Sequence, residues 1–394
     1  MSGNFLYLYI SQWAHMGGQP GLGLYTFDKQ TGAIAFVKQL DDTLSLGCSM
    51  VIPEKKVLYV CNECDLFPET PFNTGRVYCF GIDPSTGGLT LKNRKETFCP
   101  FTSYLNTDPE GKYLMVSNHS MHNFTTTVSR DENGVIRPQL HHHDSLVNLF
   151  ALNPDGSIGD MVDYTNHRDD NQLHWSLLGR PAIPHPHCIM RSPSGKLYAC
   201  CDKGDSHLYL YTIEEGRLKL LSQTLTHVEG SEPRYCAFHP TLPYLYVNHE
   251  HTPDDAITLT TFRYTEEGHL TKVDTFYANT HGYQPKEPHR QQQGMCISPD
   301  GKTVYTQAHG YDLLLALAVD PQTGLLKQIQ ALPIDGIWPR SVNLSPDGRF
   351  LICCCLSGQI LVYRVEADGT LTDTGHRAFS KGAGFASFFD PHCL

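Results

Sequence analysis

The stretch PRYCAFHPTLPYLYVNHE (233–250) opens on Pro-Arg and closes on Glu, with two apolar runs and a proline-marked turn between them. A hairpin returns its outer ends to one place, so Arg234 and Glu250 reach the same rim. There they either knit the sheet end as an ion pair or present a permanent cation and a carboxylate to a ligand. A second word, IPHPHCIMRSPSGKLY, carries His185 and His187 two positions apart, which on a strand places both on one side. Imidazole titrates near neutral pH, so such a set can perform general acid–base transfer with cationic stabilisation of an oxyanion. Further polar residues stand at comparable strand ends: Glu63, Asn118, His119, Asp202, His309 and Arg340. Arg290 lies in a nearby insertion.

One recurring unit positions these residues. An apolar strand, a polar turn and a second apolar strand with a polar end recur as CSMVIPEKKVLYVCNE (48–63), YLNTDPEGKYLMVSNH (104–119) and CIMRSPSGKLYACCDK (188–203). The series continues as YCAFHPTLPYLYVNHE (235–250), MCISPDGKTVYTQAHG (295–310) and VNLSPDGRFLICCCLSG (342–358). Each copy is followed by a third strand and, past a glycine-rich turn, a polar fourth. The turns are chemically apt, since SPDG places Pro early and Gly late. FLYLYIS, GLGLYTFD and AIAFVKQL at the N-terminus and KGAGFASFFD near the C-terminus supply a seventh unit. Pairing them closes a ring and removes its open edges. The expectation is an all-β chain: one seven-bladed β-propeller domain over 1–394, with four-stranded antiparallel blades. Long insertions fall near 120–144, 160–184 and 276–292, where extra loop length builds the wall of a channel mouth.

Composition narrows the function classes. A net charge of −11 lacks the basic surplus that nucleic acid requires. No run of 18 apolar residues is present, so no membrane span is expected. NFLYLYI is too short and lacks the basic flank of a secretion signal. Fourteen cysteines without such a signal point to a reducing compartment, the cytoplasm, with thiols buried as small hydrophobes in strands such as FLICCCLSG.

Three words in order, IPHPHCIMRSPSGKLY, GSEPRYCAFHPTLPYLYVNHE and GIWPRSVNLSPDGRFL, together with GLGLYTFDKQTGAI near the start, carry a resemblance over residues 4–390. The chain resembles the propeller-type lactonases, a family that includes bacterial 6-phosphogluconolactonases and fungal carboxy-muconate cycloisomerases. The resemblance implies a catalytic site of His187, Arg234 and Glu250; by their places at strand ends His185, His309, Arg340, Glu63, Asn118 and Asp202 are expected to bind substrate, joined by Arg290 from the insertion. His187 would activate water, Arg234 would stabilise the oxyanion, and Glu250 would orient either one or pass a proton to the leaving alkoxide. The chain departs from the family in TQAHG, where His309 replaces an arginine, which counts against a highly charged substrate.

The expected activity is hydrolysis of a small sugar-derived lactone. The same groups also suit a cycloisomerase of the muconate-lactonising type or a lyase eliminating from an oxidised sugar. A non-catalytic interaction scaffold needs no convergent site at all. The expected partner is a small sugar lactone or sugar acid; oligomeric state is not legible. No cofactor is expected. A divalent ion on His187, Glu250 and His309 is the lesser alternative. The run His141-His142-His143-Asp144 reads as a solvated loop, and Cys61 with Cys64 as strand cysteines, since no second CxxC follows.

Overall fold

The computed structural model describes residues 4–64, 67–121, 124–167, 174–175 and 181–392. Within them the repeat becomes seven four-stranded antiparallel sheets, each a meander. Blade 1 combines Phe5–Gln12, Gly21–Asp28 and Ile34–Asp41 with Ala383–Phe389 as its innermost strand. The ring closes there, with Tyr9 opposite Ser387. The innermost strands of blades 2 to 7 are Leu46–Ile52, Thr102–Thr107, Pro186–Arg191, Pro233–Phe238, Met295–Ile297 and Pro339–Leu344. A single 3-10 turn, Pro53–Lys55, is the one helical element among the described residues.

Local chemistry repeats with the blades. In the SPDG turn of blade 6, Ser298 Oγ accepts from Thr303 N at 3.0 Å and donates to Asp300 at 2.7 Å. In blade 7, Ser345 makes the same pair of contacts with Phe350 N and Asp347. Gly301 ends the first of these turns at φ +75°, where a Cβ would lie 2.4 Å from the His239 ring, so only glycine fits.

Tyrosines on the second strands latch neighbouring blades. Tyr9, Tyr59, Tyr246 and Tyr305 are fully buried. They donate to the carbonyls of Gly87, Gly156, Gly324 and Gly369, each in the following blade, at 3.0, 2.5, 3.1 and 2.9 Å. Each latch satisfies a hydroxyl whose burial would otherwise cost about 1–3 kcal/mol. The blades are thereby held at fixed angles around the axis, which is what a site assembled from several blades needs.

Of the insertions, 120–144 forms a hairpin of Phe124–Arg130 with Ile136–His142, between the second and third strands of blade 3. The stretch 160–184 differs from expectation. Its beginning is the end of the outer strand of blade 3, Ile158–Asn166, and part of the rest lies outside the described residues. The third insertion follows the outer strand Leu270–Tyr277 of blade 5 and leads to the channel mouth, where Gln291 bridges to His309. No helix among the described residues is long and apolar enough to cross a membrane.

Candidate active site

At the start of every innermost strand except that of blade 6 the ladder slips. Register shifts fall between Pro186 and Cys188, between Pro233 and Cys236, and between Pro339 and Ser341. A residue past the first position leaves the ladder at each slip and is free to turn its side chain toward the channel, and proline, with no N–H to give, is tolerated at that first position. The bulged residues are His187, Arg234 and Arg340, which explains the PH, PR and PR words. The corresponding shift in blade 2 leaves Gly47 at this place. A Cβ on Gly47 would sit 2.4 Å from Glu63 Oε2, so its absence makes room for the Glu63 carboxylate.

The second strands supply the other half of the site. Asn248 Oδ1 accepts from Tyr235 N inside the bulge at 2.8 Å, and two residues later Glu250 enters the mouth. Asp202 stands opposite Pro186 in blade 4, as His249 stands opposite Pro233 in blade 5; its Oδ1 accepts from His185 N at 2.6 Å and its Oδ2 meets His167 Nδ1 at 2.7 Å. Asn118 donates to Leu146 O and Asn148 Oδ1 at 3.0 and 2.6 Å and accepts from Thr102 Oγ1 at 3.2 Å. The expectation that Asn118 and Asp202 bind substrate is therefore corrected: both are spent holding strand ends and neither lines the cavity.

The cavity at this mouth has a volume of about 230 Å³. His187, Arg234, Glu250, His185, Arg340 and Glu63 all line it. So do residues that the sequence reading did not place there, Lys203, Glu232, His251, Gln293 and the two tryptophans Trp13 and Trp338. Lys203 directly follows Asp202, so the right strand end was read one position early. His309 does not line the cavity; it lies behind Trp338, ring centroids 4.9 Å apart, with both ring nitrogens buried and without a hydrogen bond. Arg290 is also elsewhere, paired with Asp255 at 2.8 Å.

The charges are tightly arranged. Glu250 Oε2 lies 2.8 Å from Arg234 Nε and 3.0 Å from Lys203 Nζ. The same ammonium lies 3.7 Å from Glu232, and Arg340 pairs with Glu63 at 3.1 Å while stacking 3.8 Å from the Trp13 ring. Burial acts to raise the Glu250 carboxyl, but Lys203 and Arg234 outweigh it and hold the group well below the carboxylate range. Burial, reinforced by Arg234, holds the His187 imidazole well below its ordinary value. His187 is therefore neutral at pH 7. Its Nδ1 is buried without a hydrogen bond, which leaves Nε2 as the nitrogen open to the cavity. His185 stacks on His119 at 4.5 Å, and His119 meets the edge of His187 at 5.5 Å.

Among the described residues, two clusters have ligand atoms close enough for a metal ion. Glu232, Glu250 and His251 form one, and the buried thiols of Cys188, Cys201 and Cys236 form the other. In the first, the Lys203 ammonium already stands between the two carboxylates. The expected set of His187, Glu250 and His309 does not meet in the cavity. His141 is exposed and bonded to Thr127 at 2.8 Å, and Cys61 is buried in a strand.

The family described as "Lactonase, 7-bladed beta-propeller" matches residues 7–388. The chain belongs to that family. It is 23% identical over 346 residues to the 6-phosphogluconolactonase of Bacillus subtilis, with 85% of this chain and 84% of that protein covered. The 6-phosphogluconolactonase of Formosa agariphila is also 23% identical, over 360 residues, covering 89% of this chain and 90% of that protein. The structure of the Pseudomonas aeruginosa periplasmic gluconolactonase PpgL superposes with a TM-score of 0.78 at 21% identity, covering 98% of this chain and 99% of that one. The seven-bladed lactonase-family fold agrees with the sheets described above.

Proposed function

We propose that this protein hydrolyses sugar-derived lactones at the cavity to which all seven blades contribute. The observation that carries the reading is the convergence of His187, Arg234 and Glu250 in one cavity, with Glu250 Oε2 2.8 Å from Arg234 Nε. A scaffold would not need these three groups in one cavity, and their convergence counts against it. The relatives' names, 6-phosphogluconolactonase and gluconolactonase, support the same substrate class.

In the proposed reaction His187 Nε2 removes a proton from water as its oxygen attacks the lactone carbonyl. Arg234 stabilises the oxyanion; its Nη1 carries no hydrogen bond within the protein. When the tetrahedral adduct collapses, the bond to the ring oxygen breaks and the imidazolium returns its proton to that alkoxide. The product is an open-chain hydroxy acid. Glu250 stays ionised, so its role is to orient Arg234 and Lys203 rather than to donate a proton. Lys203 occupies the spot between Glu232 and Glu250 that a cation would take, so the mechanism is proposed to run without a metal. The thiol-rich buried strands fit a reducing, cytoplasmic setting.

The test is acid release in weak buffer over a panel of δ- and γ-sugar lactones, comparing wild type with His187→Ala and Arg234→Ala, with and without chelator. Wild type should release acid above the spontaneous rate, both variants should fall to it, and chelator should change nothing. Wild type indistinguishable from both variants on every lactone would sink the reading.

A further inference from the structure

Six ionised side chains line the cavity: Lys203, Arg234 and Arg340 against Glu63, Glu232 and Glu250. Three are basic and three acidic, and each basic group lies against a carboxylate, with Arg234 Nη1 left as a single donor without a hydrogen bond. Arg234 and Lys203 share Glu250 at 2.8 and 3.0 Å, and Arg340 holds Glu63 at 3.1 Å. At the rim, Arg290 is held by Asp255 at 2.8 Å and Lys286 by Asp312 at 3.1 Å. Among the described residues, every lysine and arginine that lines the cavity lies against a carboxylate. A phosphate dianion needs surplus positive charge or a fork of free donors. Here it would have to displace a carboxylate from its cation and would then face that carboxylate, unpaired, across a small cavity. Like-charge juxtaposition of that kind is a strong means of exclusion.

Beside Arg234 Nη1, two uncharged groups are unspent. Trp13 Nε1 and Gln293 Oε1 are buried at the cavity wall without hydrogen bonds, one a donor and the other an acceptor. Trp13 and Trp338 add aromatic faces for the C–H side of a sugar ring, and Glu63 and Glu232 offer acceptors for its hydroxyls. Trp338 is held at φ +59°, a backbone conformation that a bulky residue rarely adopts, which marks its placement as imposed by the surrounding fold. We infer that the substrate is an unphosphorylated sugar lactone, and that Glu232, with Glu63 and Glu250, excludes its phosphorylated counterpart. This rests on the lactonase reading above and separates this chain from relatives named for a phosphorylated lactone.

The experiment compares kcat/KM for D-glucono-δ-lactone and its 6-phosphate by acid release, with His187→Ala as the blank. The neutral lactone should be favoured by about ten-fold or more, and Glu232→Gln should narrow that ratio by about ten-fold. Should Glu232→Gln fail to fold, the wild-type ratio is followed with salt instead; screening should narrow it. A phosphorylated lactone turned over as well as the neutral one, or a ratio that neither the substitution nor salt alters, overturns the inference. If neither lactone is opened, the hydrolase reading falls, and calorimetry with glucose and glucose 6-phosphate decides the ligand class by itself. Glucose bound in preference to its phosphate supports the charge argument; preference for the phosphate, or binding of neither, overturns it.

Discussion

Glu250→Gln removes the one carboxylate shared by Arg234 and Lys203, at 2.8 and 3.0 Å, with side-chain exposures of 4% for Arg234, 12% for Lys203 and 13% for Glu250. At an effective dielectric of about 20, each contact represents on the order of 6 kcal/mol of direct attraction. Desolvation offsets most of that, and breaking a buried pair from one side typically costs about 3–5 kcal/mol net. Lys203 keeps Glu232 at 3.7 Å, so roughly 4 kcal/mol is expected rather than twice that. With an unfolding entropy near 2.1 cal/mol/K per residue, the 394-residue chain should lose about 5 °C in Tm. Activity should suffer more than stability. Glu250 is the carboxylate that acts to raise the His187 pKa against burial and three cations, so its loss makes the base weaker as well as freeing Arg234 to rotate. A fall of about 100-fold in kcat, with a smaller change in KM, is expected, with partial recovery in Glu250→Asp. Acid release on the best lactone and thermal unfolding followed by fluorescence measure the two effects. A kcat within about three-fold of wild type and an unchanged Tm would refute the assignment of Glu250 as the group that positions Arg234.

Low pH should destabilise the fold through histidines that stay neutral. Burial pushes His249 down to about 3 and His251 down to about 4. The unfolded chain takes up these protons near pH 6.5, so stability is full above that value and falls as pH drops toward the folded values. Each residue should remove on the order of 3 kcal/mol by pH 4, measurable as a falling urea midpoint, and His249→Asn should flatten the slope; a slope unchanged by that substitution would count against it. Trp338→Gly should relieve a strained backbone worth about 1 kcal/mol while removing a cavity wall, so KM for the lactone should rise more than kcat falls. Equal losses in both, or none, would show that the ring does not hold substrate.

The architecture was legible because strand, turn and strand recur with the same turn chemistry, and six readable copies define where the seventh must form. The His187, Arg234 and Glu250 placement was legible for a related reason: a proline followed by a polar residue at a strand start is a bulge signal as well as a motif. What sequence could not separate were neighbours at the end of the second strand. Asn118 and Asp202 look as available as Glu63 or Glu250, but the first pair satisfies backbone and side-chain donors around the bulge, and only the residues just beyond enter the mouth. Lys203 and Glu232 become visible as site residues once the two blades are side by side. His309 shows the opposite limit, since its position in the repeat is correct while Trp338 stands between it and the cavity.

The seam in blade 1 sets an order on how the molecule comes into being. Strand Phe5–Gln12 is synthesised long before its inner partner, Ala383–Phe389. At ordinary translation rates this strand waits on the order of a minute with an unpaired edge on the nascent chain. Blades 2 to 7 are each contiguous in sequence and can assemble as they emerge, but the site they share cannot be clamped until the final strand docks. That docking joins residues far apart along the chain, a slow event on entry and a high barrier on exit. Resistance to proteolysis and to thermal inactivation should therefore be governed by how rarely this one join opens, whatever the strength of the individual blades.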